Sequence, residues 1–214
     1  MARAAREALG LDRVLFAPVG AQPLKPRGST AAFADRVAMT RLAIAGEPGF
    51  EVSLADAPNP DGGPNYTLDT LRRLRAGLPA DGCLFCLMGA DSFTSLRHWR
   101  GAEEIPFVAT LIVASRPGQR LDDLAGSLPE GLTLEPEAAG GAAMASSGRV
   151  ELRSYVVRGH ADETARFYVL PGLDVEISAS EIRAHVRSSA DEAATRLVVP
   201  AAVAEYIRTH GLYR

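Results

Sequence analysis

The stretch "CLFCLMGADS", residues 83–92, decides how the chain is read. From Cys83 to Met88 it is apolar without alternation, and Gly89 then opens into Ala-Asp-Ser. An unbroken apolar run of this length predicts a strand buried on both faces, and the change in composition predicts a helix start just after it. The same grammar recurs in "RVLFAP" (13–18), "FEVSL" (50–54) and "VATLIVAS" (108–115). Between these runs lie helix-forming segments. "ARAAREALG" (2–10) ends at Gly10, a C-cap residue. "AAFADRVAMTRLAIAG" (31–46) carries Phe33, Val37, Met39 and Leu42 near one face and stops at Gly46. "YTLDTLRRLRAGLP" (66–79) reads as a helix capped by Thr67, with Leu68, Leu71 and Leu74 as its apolar stripe. "VELRSYVVRG" (150–159) and "ARFYVL" (165–170) read as added strands, and "PAAVAEYIRTHGLYR" (200–214) as a closing helix with Pro200 at its first position. Strands alternating with helices predict an α/β protein, a parallel sheet covered by helices on both faces. We expect one domain over 1–214, with a flexible surface insertion near 137–149, where Gly, Ala and Ser dominate.

Composition narrows the function classes. The chain has 214 residues, 47% hydrophobic and 23% charged, with a net charge of −3. That balance implies no broad basic surface for nucleic acid. No apolar run reaches membrane-spanning length, and the first ten residues lack a signal-peptide core. Cys83 and Cys86 form a CxxC inside an apolar run, with no second pair to complete a zinc site, so both read as structural thiols in a reducing, cytoplasmic setting. His98 reads as structural; His160, His185 and His210 are scattered and suggest no metal cluster. Lys25 is the only lysine. A homo-oligomer is left open.

In parallel sheets ligands bind beyond the carboxyl ends of the strands. Three segments follow predicted strands: "GADS" (89–92), "SRPG" (115–118) and "SASEIR" (178–183). In the last, Ser178 is an N-cap and Glu181 completes a capping box, which leaves Ser180 and Arg183 unexplained. A helix N-terminus with a hydroxyl and a guanidinium beside it suits an anion. Each candidate also has a plainer reading. Asp91 reads equally as a helix cap, Arg116 as an exposed turn residue, and Trp99 as a half-buried core residue.

Five pieces in order, "NYTLDTL" (65–71), "MGADSFTSLRHW" (88–99), "LIVASRPG" (111–118), "EISASEIR" (176–183) and "VPAAVAEYIRTHGLYR" (199–214), resemble bacterial nicotinate-nucleotide adenylyltransferases. "QPLKP" (22–26) is similar to the family's Pro-Pro-His-Lys stretch, with Leu24 where His is usual. The resemblance implies a Rossmann-like nucleotidyltransferase fold that joins the AMP part of ATP to nicotinate mononucleotide, assisted by Mg²⁺. It further implies that Gly89 and Asp91 face the adenosine, that Ser178, Ser180, Arg183 and Lys25 hold the ATP phosphates, and that Thr67, Trp99 and Arg116 hold the nicotinate nucleotide. The family's glycine-rich turn and His-x-Gly-His motif are absent from the sequence, so no catalytic histidine is assigned. By that resemblance the first strand, the turn and the motif would lie upstream of Met1. Two expectations follow: a start placed too late, or a short copy that binds nucleotide without catalysis. The first is favoured.

Overall fold

A computed structural model describes residues 1–23, 30–114, 124–137, 152–170, 179–188 and 199–213. The 137–149 insertion lies, after its first residue, outside the described residues. The chain divides into two compact units: Met1–Asp12 with Tyr66–Val175, and Arg13–Asn65 with Glu176–Arg214.

The first unit is built on a five-stranded sheet. Its strands are β3 (Phe85–Gly89), β4 (Thr110–Ala114), β5 (Thr133–Pro136), β6 (Arg153–Arg158) and β7 (Thr164–Leu170), in the order β3-β4-β7-β6-β5. The first three in that order are parallel; β6 and β5 join antiparallel. The expected parallel core is therefore present, and the sheet as a whole is mixed. The reason is the short turn between β6 and β7: Gly159 donates to the Glu163 carbonyl at 2.9 Å and Asp162 takes a positive φ of 62°. So short a connection can only reverse the chain, whereas a parallel pair needs a long crossover.

The apolar runs are continuous because both faces of the ladder are covered. Leu111, Val113, Phe167, Val169, Cys86 and Met88 point into one core, with Phe93, Leu96 and Ile105 packed against them. Ile112, Ala114 and Leu170 point into the other, which α1 (Ala2–Leu9) covers through Ala5. Helix α1 ends at Gly10 with φ 61°, the left-handed cap the sequence predicts. The remaining helices of this unit are α3 (Thr67–Ala76), α4 (Ala90–Thr94), α5 (Ile105–Val108) and α6 (Leu124–Ser127), with a 3₁₀ turn at Leu96–His98. Helix α5 was not predicted: four residues are too few to show a period.

The second unit pairs β1 (Val14–Phe16) with β2 (Phe50–Val52) in parallel and carries α2 (Phe33–Ala43), α7 (Ala179–Ser188) and α8 (Ala201–Thr209). Pro200 is the N-cap of α8, with ψ 142°, and not its first helical residue. Of the predicted face of α2, only Val37 is fully buried, and the helix stops at Ala43, before Gly46. Helices α2 and α8 are joined by the Tyr206 hydroxyl, which donates to Asp35 at 2.9 Å.

One buried polar group organises the loops of this unit. Asn65 is 3% exposed. Its Oδ1 accepts from the Ala21 amide at 2.8 Å, and its Nδ2 donates to the carbonyls of Ala57 at 2.8 Å and Asp56 at 3.3 Å. Gly20 is required beside it, since a Cβ there would lie 2.5 Å from the Asn65 Oδ1 and from the Pro58 backbone. Arg36 fixes the same turn by donating to the carbonyls of Val19 at 2.5 Å and Gly20 at 3.2 Å.

Asn65→Ala removes the partners of the Ala21 amide and the Ala57 carbonyl, while the Asp56 carbonyl keeps the Gly20 N–H at 2.7 Å, and is expected to cost about 1–3 kcal/mol in chemical denaturation. Cys86 supplies a second test. Burial pushes its thiol up to about 11 from an ordinary 9. The folded state thus holds a proton that the unfolded state releases first, and stability falls as pH rises from about 9 to about 11. Melting curves of Cys86→Ala are expected to lose that part of the alkaline slope. A thiol reagent at pH 8 is expected to label the exposed Cys83 and spare Cys86.

Candidate functional site

The three parallel strands end level with one another. Gly89 lies opposite Ala114, and Ala114 opposite Leu170. The segments that leave β4 and β7 there, 115–123 and 171–178, lie outside the described residues, so Arg116 and Ser178 are not placed. Lys25, in 24–29, is likewise outside them. The segment that leaves β3 is described in full, and it carries Gly89, Asp91 and Trp99.

Gly89 is both the last residue of β3 and the N-cap of α4, with φ −75° and ψ 157°. Any residue can adopt that conformation. A Cβ built on it meets no atom of the described residues within 4 Å. Asp91 lies in the first turn of α4 and is exposed. Gly89 holds the cap position of α4, so Asp91 stands in the first helical turn and not at the cap.

Thr67 is not the cap of α3. Tyr66 holds that position in extended conformation, and Thr67 is the first helical residue, partly exposed. The start of α3 is tied to the turn after Trp99. Arg100 stacks over the Tyr66 ring at 4.6 Å and pairs with Asp69 at 3.9 Å. Arg72 pairs with Glu104, and Leu68 reaches within 2.4 Å of where a Gly101 Cβ would stand. Thr67 and Trp99 are the chain neighbours of Tyr66 and Arg100, whose side chains meet.

Trp99 is partly buried against the core that also holds Phe93 and Leu96. Its indole N–H donates to the Ser95 hydroxyl at 3.2 Å, and that hydroxyl donates to the Ser92 carbonyl at 2.8 Å. The ring is therefore fixed to the helix that carries Asp91. The sequence reading missed Ser95, although a serine four residues before a tryptophan is at helical contact spacing. It also missed Asn65 and Arg36, whose partners are backbone groups of distant loops and leave no local signal.

Ser180 and Arg183 belong to the second unit. Helix α7 is described over Ala179–Ser188, with Ser180 and Arg183 three residues apart along it, and the expected cap Ser178 lies outside the described residues. Arg183 is partly buried. In the same unit burial raises the Tyr213 hydroxyl, and Arg183 and Arg36 are close enough to oppose that shift. Among the described residues no group of three or more His, Cys, Asp or Glu side chains could hold a metal ion, and no helix is long and apolar enough to cross a membrane.

The cytidylyltransferase-like family matches residues 1–185. The probable nicotinate-nucleotide adenylyltransferase of Citrifermentans bemidjiense is 37% identical over 217 aligned positions, covering 100% of this chain and 89% of that protein. The corresponding protein of Gloeobacter violaceus is 35% identical, covering 100% and 87%. In fold, the chain is similar to the Plasmodium falciparum nicotinic acid mononucleotide adenylyltransferase solved with NaAD. The TM-score is 0.64 at 12% identity, over 99% of this chain and 89% of that one. The chain belongs to the nicotinate-nucleotide adenylyltransferase family of cytidylyltransferase-like proteins.

Proposed function

We propose that the chain transfers the adenylyl group of ATP to nicotinate mononucleotide, giving nicotinate adenine dinucleotide and pyrophosphate, a step of NAD biosynthesis. The observation that carries this is the match over the whole chain to adenylyltransferases at 37% identity. The level strand ends at Gly89, Ala114 and Leu170 and the fixed indole of Trp99 agree with it.

The phosphate of nicotinate mononucleotide attacks the α-phosphorus of ATP. A new P–O bond forms there, the bond to the β,γ-phosphates breaks, and pyrophosphate leaves with that electron pair. Such a reaction needs alignment and charge stabilisation more than covalent help. Gly89 admits the nucleotide close to the backbone, and Asp91 accepts from the ribose hydroxyls. Ser178, Ser180, Arg183 and Lys25 hold the phosphates; Thr67, Trp99 and Arg116 hold the nicotinate nucleotide. Mg²⁺ fits as a companion of the ATP phosphates rather than as a resident of a protein cage, and supplies charge neutralisation there.

A binding-only reading has one observation in its favour: the 214 residues contain no His-x-Gly-His. A pyrophosphate-release assay with ATP, Mg²⁺ and nicotinate mononucleotide separates the two. Run on this chain and on one extended upstream through the next in-frame start codon, it supports adenylyl transfer if either turns over, and ATP binding without turnover in both would leave a nucleotide-binding module.

Two substitutions localise the site. Gly89→Ala suits the backbone and meets no described residue, so stability should hold or rise by up to about 1 kcal/mol in chemical denaturation. ATP affinity should fall roughly tenfold, since the new methyl group occupies space the nucleotide needs. Arg183→Ala should weaken ATP by about 1.5–3 kcal/mol, the range for a hydrogen bond to a charged group. Unchanged ATP affinity in either variant removes that residue from the site.

A further inference from the structure

Trp99 is the chain's only tryptophan, and its orientation has an identifiable cause. A serine hydroxyl has one proton to give. Ser95 gives its proton to the Ser92 carbonyl at 2.8 Å, which turns the oxygen lone pairs toward the indole N–H at 3.2 Å. The Trp99 amide donates to the Leu96 carbonyl at 2.8 Å, so backbone and ring are both fixed to the α4–3₁₀ segment. That segment begins at Gly89 and includes Asp91. A flat aromatic surface held at a set angle is what recognition of a planar charged ring by stacking requires. An indole free to rotate would have to be ordered at the moment of binding.

We propose that Ser95 is a positioning residue for the nicotinate nucleotide: its hydroxyl holds the Trp99 indole in the stacking orientation before ligand arrives. This rests on the reading of Trp99 as the pyridine platform. Ser95 touches no substrate itself. Its contribution appears in the affinity for the nicotinate nucleotide and leaves ATP alone. It also makes the distance between the two half-sites a property of one rigid segment, since Gly89 and Trp99 are its two ends.

The test uses the full chain, calorimetric titration with nicotinate mononucleotide and separately with ATP, and the emission anisotropy of Trp99 without ligand. Ser95→Ala is expected to weaken nicotinate mononucleotide roughly three- to tenfold, the effect of losing one neutral hydrogen bond. ATP affinity should hold, and the ligand-free anisotropy should fall. Ser95→Thr keeps the hydroxyl and should restore both. In a Trp99→Phe background, where no indole N–H exists, Ser95→Ala should change nicotinate mononucleotide affinity by less than about twofold. An equal loss in that background would overturn the proposal, because Ser95 would then act through the fold and not through the indole. So would a fall in anisotropy with unchanged affinity, or wild-type binding of nicotinate mononucleotide that leaves Trp99 emission untouched. Absence of turnover bears on the adenylyl-transfer reading alone; these binding measurements decide the role of Ser95 without it.

Discussion

The ladder from β3 through β4 to β7 is the constraint on which the first unit depends. Its strands run parallel and are buried on both faces, so their register cannot slip without moving Ile112 and Val113 into each other's core. That fixed register sets Gly89, Ala114 and Leu170 side by side at one end. The placing of the adenosine side agrees with that level edge, because backbone at the carboxyl ends of parallel strands is where a ligand can approach.

Fine positioning is done by polar groups of small size. Ser95 turns the indole of Trp99; Arg100 locks the start of α3 to the turn that follows it. In the second unit Asn65 and Arg36 hold the turn at Val19–Ala21, from which the chain runs on toward Lys25. Asn65 and Arg36 each satisfy two or three backbone groups of loops that are distant in sequence. Loops carry binding residues only where something rigid underneath them fixes their course.

The sequence was most legible where burial is two-sided. The runs at 83–89 and 108–115 are apolar at nearly every position, Thr110 and Ser115 apart, because both faces of β3 and β4 are covered, and the strands lie where the pattern puts them. The run "ARFYVL" became the central strand β7, paired with β4 on one side and β6 on the other. Its antiparallel partners were less legible, since strand direction depends on the Gly159–Glu163 turn and not on composition. Helix starts were read too literally: Thr67 and Pro200 suit capping chemistry, yet the first helical residue is one place off in each case. Of the candidate site, Gly89, Asp91, Thr67 and Trp99 take their roles from the family resemblance, whereas Ser180 and Arg183 stood out from the capping pattern itself. Spacing alone left Asp91 and Trp99 with equal or better structural readings; the signal for Ser95 was only its helical spacing from Trp99, and Asn65 left none.

The central claim is that nucleotide binds across the ends of β3, β4 and β7, with the segment from Gly89 to Trp99 as its floor. Amide hydrogen exchange with and without nicotinate adenine dinucleotide tests it most directly. The product should slow exchange selectively at residues 89–99 while leaving the β5–β6 hairpin region, 133–136 and 153–158, as it was. Protection confined to that hairpin region, or none at 89–99 at ligand concentrations that saturate binding, would contradict the claim.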